Sequence, residues 1–89
     1  MIKKEVTLIN RLGMHARAAT KLVQVAQRFK SRITVEANGM EADAKSILGL
    51  LTLAAPVGTK LLIKADGEDE KEAIEAIVQL IEDRFGEGE

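Results

Sequence analysis

The chain has 89 residues, 46% hydrophobic and 30% charged, with 13 basic and 14 acidic side chains and a net charge of −1. That length allows one small domain spanning 1–89, and the near-neutral balance argues against general nucleic-acid affinity. The absence of cysteine excludes disulfides and thiolate metal sites, and with two phenylalanines as the only aromatics the core must be aliphatic.

The start, MIKKEVTLIN, has no long apolar stretch behind its lysines, so no signal peptide is expected there. From Lys3 to Ile9 the residues alternate. Val6 and Leu8 face one way and Glu5 and Thr7 the other, as in a half-buried strand. Asn10 to Gly13 reads as a loop, with glycine free to adopt angles closed to other residues. The period then changes. Ala19, Leu22, Val23 and Ala26 lie on one face of a helix predicted over 16–29, with Arg17, Lys21, Gln24 and Arg28 opposite.

Two short strands, 33–37 and 40–44, flank Asn38-Gly39, the pair that a tight hairpin turn favours. Ser46 precedes the apolar run Ile47-Leu48-Gly49-Leu50-Leu51 and reads as the N-cap of a short helix. Pro56 and Gly58 mark the loop beyond it. A fourth strand is predicted over 59–65, with Leu61 and Ile63 on its inner face. Asp69 is then placed to cap a last helix, with Glu72 three residues on as in a capping box. Ile74, Ile77, Val78, Ile81 and Phe85 form that helix's apolar stripe, and Gly86 suits its end. The order βαββαβα implies an α+β two-layer sandwich with helices on one face of a mainly antiparallel sheet. No segment has the length of a membrane span, and a cytoplasmic protein is expected.

The only histidine, His15, falls at the predicted start of the first helix. A helix N-terminus presents unpaired amide donors and the positive end of the dipole, so an anion attached there is stabilised. A phosphoryl group on His15 would meet those amides and Arg17, and a neutral imidazole nitrogen is a competent nucleophile. One histidine without cysteines cannot form a metal-ligand set, and no cofactor is implied. The surroundings are expected to be basic. Arg11, Arg17, Lys21, Arg28, Lys30 and Arg32 lie early in the chain, whereas Asp66, Glu68, Asp69, Glu70, Glu72 and the GEGE terminus lie late. No partner carboxylate stands beside His15 in the sequence.

Two stretches carry a resemblance. GMHARAA is similar to the phosphohistidine signature, and AKSILGLLTLA to the serine signature, of the HPr phosphocarriers of the bacterial phosphoenolpyruvate-dependent phosphotransferase system. NGMEADAKS and ADGEDEKEAIEAI resemble the family as well, so the likeness runs along nearly the whole chain. It implies an open-faced β-sandwich, strand order 1-4-2-3, with three helices. It implies that His15 accepts a phosphoryl group from phosphorylated Enzyme I and passes it to an EIIA-type domain, with Arg17 stabilising the group. Nδ1 as the phosphorylated atom and a monomeric state are implied too. Ser46 would be the substrate of an HPr kinase/phosphorylase, and the chain would be a stoichiometric carrier rather than an enzyme. Two positions depart from the family: Ala18 stands where most members have proline, and Leu12 where many have an asparagine that helps orient the histidine.

The short helix is too apolar to be buried on one face, so a docking patch near His15 is expected from Ile47 and Leu48, with Leu51 beside them. A βαββαβ order also occurs in RNA-recognition domains, but those stack bases on sheet aromatics, and here both phenylalanines fall in predicted helices. A non-catalytic regulatory or protein-interaction domain of the same fold is the alternative, and it would leave His15 idle. Within the family, a sugar-uptake carrier and a nitrogen-related regulatory carrier would share the same histidine chemistry.

Overall fold

A computed structural model describes residues 1–88; Glu89, counted above in the acidic terminus, lies outside them. Strands β1 (Ile2–Thr7), β2 (Arg32–Ala37), β3 (Met40–Asp43) and β4 (Lys60–Asp66) and helices α1 (Ala16–Ala26), α2 (Ile47–Thr52) and α3 (Glu70–Glu82) follow in the order βαββαβα. The four strands make one antiparallel sheet in the order β1-β4-β2-β3. β4 is central, pairing Val6 with Leu61 on one side and Val35 with Ile63 on the other. The α+β open-faced sandwich expected from the sequence is therefore the observed fold.

Alternation in the strands decides which face is covered. Val6, Ile33, Val35, Ala37, Leu61, Ile63 and Ala65 are buried, and α3 packs over β1 and β4. The opposite face is polar. There Lys64 bridges Glu36 and Glu41 across three strands at 3.2 and 3.0 Å. The expected stripes of both long helices are buried: Ala19, Leu22, Val23 and Ala26 on α1, and Ile74, Ile77, Val78 and Ile81 on α3. Asn38 and Gly39 take φ of 52° and 81°, as the predicted hairpin turn requires.

Two expectations about α3 are corrected. Asp69 occupies the cap position but its side chain makes no capping bond. Its carboxylate instead accepts from the Lys30 and Ser31 amides, each at 2.9 Å, and from the Ser31 hydroxyl. It thus ties the α1–β2 loop to the start of α3. The reach-back bond is made by Glu70, whose Oε1 accepts from the Gly67 amide at 3.1 Å. The helix also ends earlier than expected. It stops at Glu82, and Arg84 and Phe85 both adopt left-handed angles, with φ of 53° and 55°. Phe85 is buried through this turn in the chain rather than through the helical stripe. Likewise α1 ends at Ala26, three residues before the predicted end.

Candidate functional site

The approach to α1 is set by Gly13. Its φ is +67°, and a Cβ there would stand 2.4 Å from the Ala55 carbonyl oxygen. Only glycine lets the two loops come this close. The next residue uses the same carbonyl: the Met14 amide donates to Ala55 O at 2.9 Å. His15 follows as the N-cap of α1, in extended conformation (φ −92°, ψ 177°), and its carbonyl accepts from the Ala19 amide at 2.9 Å.

The imidazole side chain is 24% exposed. Nδ1 accepts from the Arg17 amide at 3.2 Å, so the ring itself caps the helix. Nε2 faces the Glu87 carboxylate, in hydrogen-bond contact. An ionised carboxylate only accepts, and an atom accepting from an amide must offer a lone pair. Both contacts are satisfied by a neutral ring with its proton on Nε2 and its lone pair on Nδ1. That lone pair lies against the Arg17 amide, one of the first-turn amides that have no partner within the helix. Arg17 is exposed on the same turn.

Glu87 is the residue that the sequence reading missed. Sequence order sets the late acidic residues apart from the basic surface expected around His15, yet the tail returns the Glu87 carboxylate to the histidine from 72 residues away. Its side chain is 8% exposed, and its Oε1 accepts from Asn10 Nδ2 at 3.1 Å. Burial pushes the Glu87 carboxyl up. Hydrogen bonds from Asn10 and His15, with nearby positive charge that includes Lys21, outweigh this and hold it below its usual value. The available signal was weak: a phenylalanine followed by glycines, which permit a sharp turn after an apolar anchor.

Ser46 is the N-cap of α2, and its Oγ accepts from the Gly49 amide at 3.0 Å. Ile47 and Leu48 are exposed, at 38% and 77%. Leu51, one helical turn beyond Ile47 on the same side of α2, is partly buried and packs against the core. Leu12 is exposed too and offers no polar atom to the ring. Ala18 is fully buried in the first turn of α1. α1 and α2 are in contact, so the elements carrying His15 and Ser46 are neighbours.

Among the described residues, no three or more His, Cys, Asp or Glu side chains gather as a metal-ligand group, and no helix is long and apolar enough to cross a membrane. A cleft of about 570 Å³ lies between β1 and α3 and includes neither His15 nor Ser46.

The family model described as the PTS HPr component phosphorylation site matches residues 2–83. The phosphocarrier protein HPr of Cupriavidus necator is 48% identical over 89 residues, covering all of both chains. That of Neisseria meningitidis serogroup A is 47% identical, again covering both chains fully. A crystal structure of HPr from Thermoanaerobacter tengcongensis superposes with a TM-score of 0.94 at 42% identity, covering 98% of each chain. With its signature histidine at a helix N-terminus on this sheet, the chain belongs to the HPr phosphocarrier family of the phosphotransferase system.

Proposed function

We propose that this chain is a cytoplasmic phosphocarrier that accepts a phosphoryl group on His15 from phosphorylated Enzyme I and delivers it to an EIIA-type domain. The observation that carries this reading is the ring's placement: a partly exposed imidazole caps α1, with Nδ1 accepting from the Arg17 amide in the first turn. As the Nδ1 lone pair bonds to phosphorus, the Arg17 amide is released from the ring to donate to a phosphoryl oxygen. The helix dipole and the Arg17 guanidinium add positive potential at the same point. The group is stabilised without being locked in, which suits a relay that must give up its cargo. The chain is a stoichiometric carrier in this scheme and needs no cofactor.

Docking is assigned to Ile47 and Leu48 on α2, next to α1, with Leu51 contributing only an edge. Ser46 at the start of that surface is the proposed site for an HPr kinase/phosphorylase. A phosphate there adds about two negative charges to the docking face.

The test is the intact mass after incubation with phosphoenolpyruvate and Enzyme I. One phosphoryl group is expected on the wild type, lost in acid, stable in alkali and absent from His15→Ala. No gain on the wild type, with an Enzyme I active on another carrier, would overturn the reading in favour of a binding module that leaves His15 idle. Transfer from the phosphorylated chain to sugar-specific and nitrogen-related acceptors then separates the two pathways.

A further inference from the structure

The carrier scheme uses His15 and the first turn of α1, and it leaves the tail beyond α3 unassigned. That tail is built to reach the ring. Two consecutive left-handed residues, Arg84 and Phe85, turn the chain off the end of α3. Such angles are unfavourable for side chains of this size. Burial of Phe85, 1% exposed, holds the turn, and the half-buried Lys21 of α1 donates from Nζ to the Phe85 carbonyl. Glu87 then lies against His15.

Asn10 completes the arrangement. It is fully buried, and its Nδ2 donates both to the Gly13 carbonyl at 2.8 Å and to Glu87 Oε1 at 3.1 Å. Turning the amide over would set its oxygen against two acceptors, so the orientation is dictated. Its Oδ1 is left buried without a partner. An unpaired buried oxygen is unfavourable, and here it accompanies a fixed grip on the carboxylate and on the loop that carries His15.

We infer that Glu87 is a positioning residue for His15: it holds the imidazole with the proton on Nε2 and Nδ1 toward the incoming phosphorus, and it offsets the charge the ring acquires. The inference rests on the carrier reading. In the transfer step the Nδ1 lone pair forms the bond to phosphorus. The phosphorus–nitrogen bond to the donor's histidine breaks, and its electron pair returns to the donor ring. Nε2 keeps its proton, so the His15 ring becomes cationic. The carboxylate already beside Nε2 faces that charge with little reorganisation. Onward transfer runs the same step in reverse, and no proton has to move.

The experiment uses the full chain as wild type, Glu87→Ala and Glu87→Gln, with the histidine ring nitrogens labelled for NMR. The wild type is expected to show the Nε2–H tautomer almost alone. Glu87→Ala mixes the two tautomers, while Glu87→Gln, whose amide oxygen still accepts, restores the single one. In rapid-quench transfer from phosphorylated Enzyme I, kcat falls about tenfold in Glu87→Ala with KM little changed. Glu87→Gln recovers part of that loss. An unchanged tautomer ratio or an unchanged kcat in folded Glu87→Ala overturns the inference, whatever happens to its melting temperature. A wild type that takes no phosphate refutes the carrier reading itself. A wild type that does, with both variants equal to it, refutes only the role of Glu87.

Discussion

Replacing Gly13 by alanine should separate two costs that are usually mixed. The first is backbone strain: at φ +67° an L side chain costs about 1–2 kcal/mol. The second is a collision. The new Cβ would meet the Ala55 carbonyl oxygen at 2.4 Å and Pro56 Cα at 2.9 Å, and both obstacles are backbone. Relief requires the two loops to part by several tenths of an ångström, which stretches the Met14 amide bond to that same oxygen, now 2.9 Å. Overpacking of this kind costs about 1–3 kcal/mol, and a weakened hydrogen bond about 1. Taken at the lower end of each range, the loss is about 3 kcal/mol, a large share of the stability of a small domain. Gly39→Ala is the control. Its φ is +81°, but nothing lies within 4 Å of the added carbon, so only the strain remains. With a urea m-value near 1 kcal/mol/M, the midpoint should fall by about 3 M for Gly13→Ala and about 1 M for Gly39→Ala. Gly13→Ala should also slow phosphorylation of the folded fraction, since the displaced segment carries His15. Equal midpoint losses in the two variants would show that close approach of the loops does not restrict position 13.

The Ile47→Asp, Leu48→Asp double variant should slow phosphoryl exchange with Enzyme I while remaining folded by circular dichroism, because both side chains are exposed; wild-type rates would remove the docking patch. Ser46→Ala loses the acceptor of the Gly49 amide and should cost about 1 kcal/mol in urea titration. Ser46→Asp keeps a capping oxygen and should unfold near the wild type yet accept phosphate more slowly, and phosphorylation at the wild-type rate would sink the regulatory reading of Ser46. The Asp69 carboxyl is held below its ordinary value of 3.8, first by the Ser31 hydroxyl and then by the Lys30 amide. The unfolded chain therefore binds this proton at higher pH than the folded one, so the stabilisation is complete above about pH 4 and is lost as pH falls through the folded value. Asp69→Asn should flatten this part of the stability–pH curve, and an unchanged acid limb would refute the assignment.

Local pattern was enough to determine the elements, their order and the faces they bury. Period two placed Val6, Leu61 and Ile63 inward; period 3.6 placed the stripes of α1 and α3; Asn38-Gly39 set the hairpin; and the site's histidine was legible because a helix start is itself a local signal. Ser46 as a cap is local in the same sense, being bonded three residues along the chain. The misses share one physical cause: competition from partners distant in sequence. Asp69 could cap its own helix, but three donors on the α1–β2 loop, nearly forty residues away, hold the carboxylate more strongly. Phe85 fitted the stripe of α3, yet it is buried after the helix has stopped, through a left-handed turn that only core packing makes worthwhile. Charge read along the chain set the acidic terminus apart from the basic first third. Tertiary folding brings Glu87 to His15 because the Phe85 anchor and Asn10, neither of them charged, determine where that carboxylate goes.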